Sequence, residues 1–346
     1  MMEIIDVLNE QISKIRPNEK FFIKRNMKHG QSDTYTVSDT NGEPFCIAKF
    51  FDYLENDQLK CSIGKSFIEK QETLDDLLDN IDSVEETLIS IEQIIEVISL
   101  QTRCFNRYIE VCTREGLECF PKVLSFISEI KIDDSFFGVL VEEFVKGETL
   151  DRIFSKEENK RIGINAVIDF FEQLGQVILK MNSNGIVHRD ISPDNIMLSN
   201  GKYVLIDPGM VKIEDENPTT KSTYLLGKRF YASPEQYNGY AKSVNFTSDL
   251  YAVGIIALEY ILGKNPLKEI INQGNHTGKL PHVELLHKYG RSIEDSFYDS
   301  LDENESSAIL FMIIKKMIQV DMSLRYDTID SFIIDLQNLR ERMESE

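Results

Sequence analysis

The sequence has few basic residues for its size, and it has no long apolar run. Its 346 residues contain 38 Lys and Arg against 58 Asp and Glu, a net charge of −20. Because nucleic acids and anionic membranes repel such a chain, we expect neither as a partner. The longest mostly apolar run, 250–262, contains Glu259 and is shorter than the roughly 18 to 20 residues of a membrane span.

Cysteine and histidine are also scarce, with five of each. An odd number of cysteines without a C-x-x-C pair predicts free thiols in a reducing cytoplasm, and it argues against a disulfide framework or a zinc site. Residues 1–16 mix charged with apolar side chains. We therefore expect a short amphipathic helix there, and no signal peptide.

The order of the predicted elements indicates two structural parts. Strand patterns occur at 21–24, 34–37, 45–51 and within 122–144. Between them, 55–100 is acidic and carries Leu, Ile and Val at three- and four-residue steps, which predicts helices. Beyond about 148 the pattern is mainly helical. We predict an α+β fold with a strand-rich part, 1–145, and a helical part, 146–346, sharing one cleft.

One segment of the helical part combines residues that can support phosphoryl transfer. Asn200-Gly201 is a two-residue hairpin signal between two apolar runs. Such a hairpin returns Asn195 and Asp207 to its open end, beside Asp190. Two carboxylates and an amide oxygen there can hold Mg²⁺ and leave one carboxylate to orient a hydroxyl.

This segment resembles the catalytic loop of the eukaryotic-like (Hanks-type) serine/threonine protein kinases. His188-Arg189-Asp190 with Asn195 is similar to H-R-D-x-x-x-x-N, and Asp207-Pro208-Gly209 stands where D-F-G is expected. The resemblance implies a two-lobed kinase fold in which Asp190 orients the substrate hydroxyl. Asn195 and Asp207 are then the metal ligands.

Three further landmarks extend the resemblance towards the C-terminus. Ser233-Pro234-Glu235 is similar to A-P-E, and Asp249 begins a segment similar to the central helix whose Asp holds the catalytic loop. Arg325 stands where the family has the Arg that pairs with the A-P-E glutamate. We therefore predict a buried ion pair between Glu235 and Arg325.

The strand-rich part carries looser matches to the ATP-binding residues of the family. Cys46-Ile47-Ala48-Lys49 is similar to V-A-I-K, which implies that Lys49 contacts the α- and β-phosphates of ATP and pairs with a helical glutamate. Glu110 fits that partner best, and Glu115 is the alternative. By the same resemblance the remaining nucleotide-binding residues are Gly30, Ser32, Ile47, Glu143 and Val145.

Several positions depart from the family pattern. No G-x-G-x-x-G is present, and the candidate phosphate loop offers only Gly30. Pro208 replaces the Phe of D-F-G. Ser192 replaces the lysine two residues after the catalytic Asp, which removes a positive charge from the γ-phosphate. Lys228 occupies the place where a Thr normally supports the acceptor site.

The resemblance implies an ATP- and Mg²⁺-dependent kinase that phosphorylates Ser and Thr of proteins. Self-phosphorylation is expected at Thr219, Thr220, Ser222 or Thr223. Two alternatives stay open: a kinase-fold scaffold with weak catalysis, and a kinase-fold enzyme acting on a small-molecule hydroxyl. Segment 55–100 has two interpretations as well, a solvated helical hairpin or a regulatory docking element.

Overall fold

A computed structural model describes residues 4–26, 32–54, 57–84, 90–117, 119–156, 163–208, 212–213, 228–240, 242–273, 280–287, 290–301 and 304–345. The chain divides into two compact units, an N-terminal unit, Met1–Val145, and a C-terminal unit, Lys146–Glu346. The first contains a five-stranded sheet, and the second is mainly helical. The predicted α+β fold class is confirmed.

The N-terminal unit is built on an antiparallel sheet. Its strands are β1 (Phe21–Arg25), β2 (Ser32–Asp39), β3 (Pro44–Asp52), β4 (Val123–Ile132) and β5 (Ser135–Glu143), in the spatial order β1-β2-β3-β5-β4. Strand β5 lies between two neighbours, and every residue from Ser135 to Glu142 is buried. Successive side chains of β5 therefore enter two different cores, one on each face of the sheet.

Helix α1 (Ile4–Ile15) covers one face of this sheet. Its buried side chains Val7, Leu8 and Ile12 belong to the same core as Val139 and Val141 of β5. With the buried Gln11, these residues recur at steps of three and four positions, which places them on one side of the helix. The amphipathic helix expected for the first residues is confirmed.

Four helices between β3 and β4 belong to the second core. They are α2 (Asp57–Ile63), α3 (Lys65–Ile68), α4 (Leu74–Asn80) and α5 (Ile91–Thr113). Thr73 and Ser90 start α4 and α5 with reciprocal capping hydrogen bonds. Leu77, Ile98 and other apolar residues of these helices form one buried cluster with Phe136 and Leu140 of β5. The interpretation of 55–100 as a solvated hairpin is therefore wrong, because its apolar stripe completes a core of the unit.

The C-terminal unit carries five short strands and nine helices in its described part. The strands are β6 (Glu148–Thr149), β7 (Ile186–Val187), β8 (Ile196–Ser199), β9 (Lys202–Leu205) and β10 (Lys212–Ile213). The helices are α6 (Leu150–Lys156), α7 (Ile164–Ser183), α8 (Pro234–Tyr237), α9 (Phe246–Leu262), α10 (Pro266–Asn272), α11 (Pro281–His287), α12 (Gly290–Leu301), α13 (Glu305–Met317) and α14 (Ile329–Ser345).

Helix α9 is the central helix of this unit and is buried along most of its length. Its apolar residues surround the axis, which is typical of a helix enclosed by other helices. No single described helix is long and apolar enough to cross a membrane, and the pair α9 and α10 passes that test only when taken together, with a bend of 93° between them.

Candidate active site

The hairpin of β8 and β9 sets up the site in the C-terminal unit. Asn200 and Gly201 form its turn with φ values of 51° and 76°, which is the backbone geometry that Asn-Gly favours. Ile196 pairs with Leu205 at the open end of the hairpin. One residue further, the N–H of Ile206 donates to the Asn195 carbonyl at 2.9 Å. The register thus places Asn195 and the residue before Asp207 side by side.

The Asp190 carboxylate is held by two donors. The Asn195 side-chain amide donates to Asp190 Oδ2 at 2.9 Å, and the backbone N–H of Lys228 donates to Oδ1 at 3.1 Å. Burial raises the pKa of the Asp190 carboxyl to about 7; the charge of Lys228 opposes this shift, whereas the nearby charges of Asp207 and Asp194 add to it. Asp190, Asn195 and Asp207 therefore share one electrostatic environment.

Asp249 holds the backbone of this loop through hydrogen bonds. Its carboxylate, at the start of α9, accepts the N–H of His188 at 2.8 Å and that of Arg189 at 2.9 Å. Arg189 has a φ of 69° and Asp207 a φ of 59°, conformations that cost non-glycine residues roughly 1 to 3 kcal/mol each. The two hydrogen bonds from the loop to Asp249 help to hold the strained backbone at Arg189.

The predicted ion pair between Glu235 and Arg325 is confirmed. Two nitrogens of the Arg325 guanidinium contact the two Glu235 carboxylate oxygens, each at 2.9 Å, and both side chains are buried. Burial alone would raise the pKa of Glu235, but the hydrogen bonds and charge of Arg325, with Ser248, lower it below its ordinary value. This pair connects α8 to the segment before α14.

Lys228 adds an ammonium group to the catalytic loop. Its Nζ lies 3.2 Å from Ser192 Oγ and 3.4 Å from Asn195 Oδ1, and it forms a short ion pair with the Asp194 carboxylate. The Ser192 hydroxyl donates to the same carboxylate at 2.9 Å. One residue from outside the loop therefore contacts most of its polar side chains.

In the N-terminal unit, Lys49 lies on β3 and is buried. Its Nζ is 2.8 Å from Glu142 Oε1 and 2.6 Å from the Tyr108 hydroxyl, which in turn donates to Glu142 Oε2 at 2.8 Å. The sheet pairs Lys49 with Leu140 and Ile47 with Glu142, so Lys49 and Glu142 are diagonal neighbours on the face of the sheet that α5 covers.

This arrangement corrects the predicted partner of Lys49. Glu110 lies on the exposed side of α5, where its carboxylate pairs with Arg114 at 2.5 Å. The alternative, Glu115, is exposed in the turn after α5. The residue of α5 that reaches Lys49 is Tyr108, one half turn earlier, and the negative charge comes from β5.

A comparison with known protein families identifies the family of this chain. The family model described as protein kinase domain matches residues 101–333, about two thirds of the chain. The chain belongs to the protein kinase family. The matched region begins inside α5 and includes Asp190, Asn195 and Asp207 of this kinase domain.

Curated relatives of the kinase domain come from several bacteria. A probable serine/threonine-protein kinase of Clostridium acetobutylicum is 35% identical over 134 residues, 38% of this chain and 20% of that protein. The serine/threonine-protein kinase PknA of Mycobacterium tuberculosis is 33% identical over 146 residues, 42% of this chain and 32% of that protein. The serine/threonine-protein kinase D of Synechocystis is 29% identical over 228 residues, 63% of this chain and 38% of that protein. The matches thus span a fifth to two fifths of these relatives.

The remaining predicted nucleotide-binding residues lie on or near the kinase sheet. Ser32 begins β2 and is buried, and Ile47 is half-buried on β3 beside Lys49. The N–H of Glu143 at the end of β5 donates to the Lys122 carbonyl at 2.9 Å. Val145 follows β5 and is half-buried. Gly30 lies outside the described residues, as do Thr219, Thr220, Ser222 and Thr223.

The donor set of the C-terminal unit suits a magnesium ion. Asn195 and Asp207 supply an amide and a carboxylate oxygen, and Mg²⁺ is commonly held by one or two such groups together with substrate phosphates. Asp207 and Asp194 each raise the pKa of Asp190, so negative charge is concentrated here. Among the described residues, no group of three or more His, Cys, Asp and Glu side chains has metal-site geometry.

Sequence reasoning missed Glu142, Tyr108 and the contacts of Lys228. Glu142 carried a signal, because an acidic residue directly after the apolar run 136–141 must find a buried partner. Ser192 and Lys228 were each recognised as departures from the kinase pattern, but their separation of 36 positions concealed that they meet.

Proposed function

We propose that this kinase domain transfers the γ-phosphate of ATP to Ser and Thr hydroxyls of proteins, including its own. The observation that carries the proposal is the convergence of Asp190, Asn195 and Asp207 at the open end of one hairpin. The names of its bacterial relatives support Ser and Thr as acceptors. They favour neither of the alternatives considered above.

In this mechanism Asp190 orients the attacking hydroxyl. The new bond joins the hydroxyl oxygen to the γ-phosphorus while the bond to the β,γ-bridging oxygen breaks, so ADP leaves and the hydroxyl proton passes to an Asp190 oxygen. The Asn195 amide and the Lys228 N–H hold the two Asp190 oxygens and fix the direction of the carboxylate. Neither donor can take up the proton, so the carboxylate holds it during transfer and releases it to solvent before the next turnover.

Asn195 Oδ1 and the Asp207 carboxylate are the ligands that we propose for Mg²⁺. When bound, the ion neutralises charge on the phosphates during transfer. The Asn195 side chain has a double role, because its Nδ2 positions Asp190 while its oxygen is the ligand. Asp207 follows β9 by two residues and has a φ of 59°.

Lys49 is proposed to bind the α- and β-phosphates of ATP. The buried contacts with Glu142 and Tyr108 fix its ammonium group on the sheet face. The adenine edge is assigned to the backbone of Glu143 and Val145, and Ser32, Ile47 and Gly30 complete the proposed nucleotide site.

Incubation of the purified chain with γ-labelled ATP and Mg²⁺, with and without generic protein substrates, tests this function. We expect label on Ser and Thr and little on Tyr, with self-modification among Thr219, Thr220, Ser222 and Thr223. Asp190→Asn should lower transfer at least about 100-fold, and the exposed control Asp151→Asn should not change it. Bound ATP without transfer would favour the scaffold, and mainly phosphotyrosine would contradict the acceptor.

We also propose that the domain works in the cytoplasm. Cys61 has a free thiol and is exposed to solvent, which suits a reducing compartment. Fractionation of the native host, followed by detection with an antibody, tests this proposal. Recovery mainly in the membrane or secreted fraction would contradict it.

A further inference from the structure

Lys228 is anchored in the catalytic loop through its backbone as well as its side chain. Its N–H donates to Asp190 Oδ1 at 3.1 Å, and its carbonyl accepts the N–H groups of Tyr231 and Ala232, each at 2.9 Å. The backbone on both sides of the residue is therefore fixed. The position of the ammonium group then depends only on the side chain, which ends at Ser192, Asp194 and Asn195.

The ammonium group lies in a strongly acidic environment. The charges of Asp194 and Asp207 both act on the Asp190 carboxyl, and the charge of Lys228 opposes them there. Ser192, at the position two residues after Asp190, supplies only a hydroxyl. Transfer of a phosphoryl group brings further negative charge to such a site, and fixed positive groups there stabilise the transition state.

We propose that Lys228 is a catalytic residue that donates hydrogen bonds from its ammonium group to the phosphoryl group in transfer. Position 192 lacks the lysine that the resemblance implies, and position 228 has a lysine in place of a threonine. Lys228 Nζ and Ser192 Oγ are hydrogen-bonded, so an ammonium and a hydroxyl group lie side by side here. Compared with the family pattern, the two groups have exchanged sequence positions: the lysine is at 228 and the hydroxyl residue at 192. This inference rests on the proposed kinase function.

A purely structural role for Lys228 predicts a different result. The Lys228 side chain is 38% exposed and that of Asp194 46% exposed. Ion pairs at such exposure contribute little to stability, because water screens the charges. The contact with Asp194 can therefore be exchanged for a phosphate at small cost. Removal of the ammonium should affect phosphoryl transfer far more than it affects folding.

An exchange of the two side chains tests the proposal. Lys228→Met should lower kcat at least about 100-fold, as loss of one transition-state donor does, with a shift in Tm below about 2 °C. Lys228→Thr should show the same loss of kcat and the same small shift in Tm as Lys228→Met. The double variant Ser192→Lys/Lys228→Thr should recover kcat to within about tenfold of wild type, because it restores the ammonium–hydroxyl pair. Lys264→Met, an exposed lysine of the same unit, is the matched control.

Nucleotide binding gives a second readout that does not require turnover. Titration calorimetry with Mg·ATP and Mg·ADP measures the preference for the γ-phosphate. Lys228→Met should reduce that preference at least about fivefold, because the ammonium acts on the phosphate that ADP lacks. A wild-type chain without transfer would contradict the kinase proposal alone, and the ATP/ADP preference would still decide the role of Lys228.

Three results would overturn the assignment. The first is wild-type kcat in folded Lys228→Met. The second is a loss of kcat in Lys228→Met that the folded double variant does not recover. The third is an ATP/ADP preference that is the same in Lys228→Met and in wild type.

Discussion

Three hydrogen bonds join Lys49, Tyr108 and Glu142 inside the N-terminal unit. The three side chains are buried, so these contacts are shielded from water. Loss of one member takes a partner away from the buried polar groups that remain, which costs more than the intact contact contributes.

Substitution of Glu142 should therefore lower the free energy of unfolding more than substitution of Tyr108. Glu142→Gln should lower the free energy of unfolding by about 3 to 5 kcal/mol, because it removes the carboxylate that lies 2.8 Å from the buried Lys49 ammonium. Tyr108→Phe should cost about 1 to 3 kcal/mol, because only a hydroxyl is lost. Urea denaturation of each variant gives both values.

A double substitution provides the control for this order. Lys49→Met/Glu142→Leu removes both charges, and apolar replacement of a buried ion pair is often neutral or stabilising. The double variant should be more stable than Glu142→Gln. Equal losses in the double variant and in Glu142→Gln would show that packing, and not charge, sets the cost.

Arg325 and Arg340 allow a comparison of a buried with a partly exposed ion pair. Arg325 is fully buried against Glu235, whereas the Arg340 side chain is 31% exposed beside Asp169 and Glu172. Arg325→Met should destabilise by about 3 to 5 kcal/mol, and Arg340→Met by about 1 kcal/mol or less. Thermal and urea unfolding measure both; similar losses at the two sites would contradict the burial argument.

The helices between β3 and β4 are integral parts of the N-terminal unit. Their buried residues share one cluster with Phe105, Phe136 and Leu140. Replacement of 57–84 by a Gly/Ser linker would expose this surface of the sheet and of α5. We therefore expect an aggregated or unfolded product, and a soluble product that unfolds cooperatively would contradict this.

Two isoleucines of α5 give a milder test of the same packing. Ile98 is 1% exposed and Ile95 is 38% exposed, although they are one turn apart on the same helix. Ile98→Ala should cost about 2 to 5 kcal/mol of unfolding free energy, because it opens a cavity in the cluster. Ile95→Ala should cost about 1 kcal/mol or less. Equal losses would place the two side chains in similar environments.

Local sequence patterns predicted most helices and strands. The contacts that they did not predict depend on pairing between segments far apart in the sequence. The Asn200-Gly201 turn determines its hairpin, so Asn195 and Asp207 were located by counting residues from the turn. The partner of Lys49 was not predictable in this way. It depends on the register between β3 and β5, strands about 90 positions apart, which brings Glu142 beside Lys49.

The burial of the 55–100 segment was missed for a related reason. Its three- and four-residue periodicity identifies a helical apolar stripe but not the surface that the stripe covers. The sheet face carrying Phe136 and Leu140 supplies that surface. Acidic residues on the other sides of the helices favoured a solvated interpretation, although one buried stripe suffices for packing.

At the scale of the whole molecule, acid pH should act through buried histidine. His282 lies on α11, where its Nε2 is 2.9 Å from the Ala232 carbonyl, and burial lowers its pKa to about 4. The unfolded chain takes up a proton below about pH 6.5, whereas the folded protein does not. The contribution of neutral His282 to the free energy of unfolding is therefore complete above pH 6.5, and it is lost as pH falls towards 4.

The variant His282→Gln isolates this contribution. Between pH 6.5 and 4.5 its unfolding free energy should fall less steeply than that of wild type, by about 1.4 kcal/mol per pH unit. Burial raises the pKa values of Asp190 and Asp249 to about 7, which acts in the opposite sense, so the difference between the two proteins is the quantity to measure. Identical slopes in urea titrations across this range would refute the assignment.

The pairing of Lys49 with Glu142 has a consequence for any movement of α5. Both residues belong to adjacent strands, so their alignment is established when the sheet forms its hydrogen-bond ladder. A molecule that displaces α5 removes the Tyr108 hydroxyl but leaves the charge pair in place. We expect such a displacement to change the position of the Lys49 ammonium by a small amount and not to break its ion pair with Glu142.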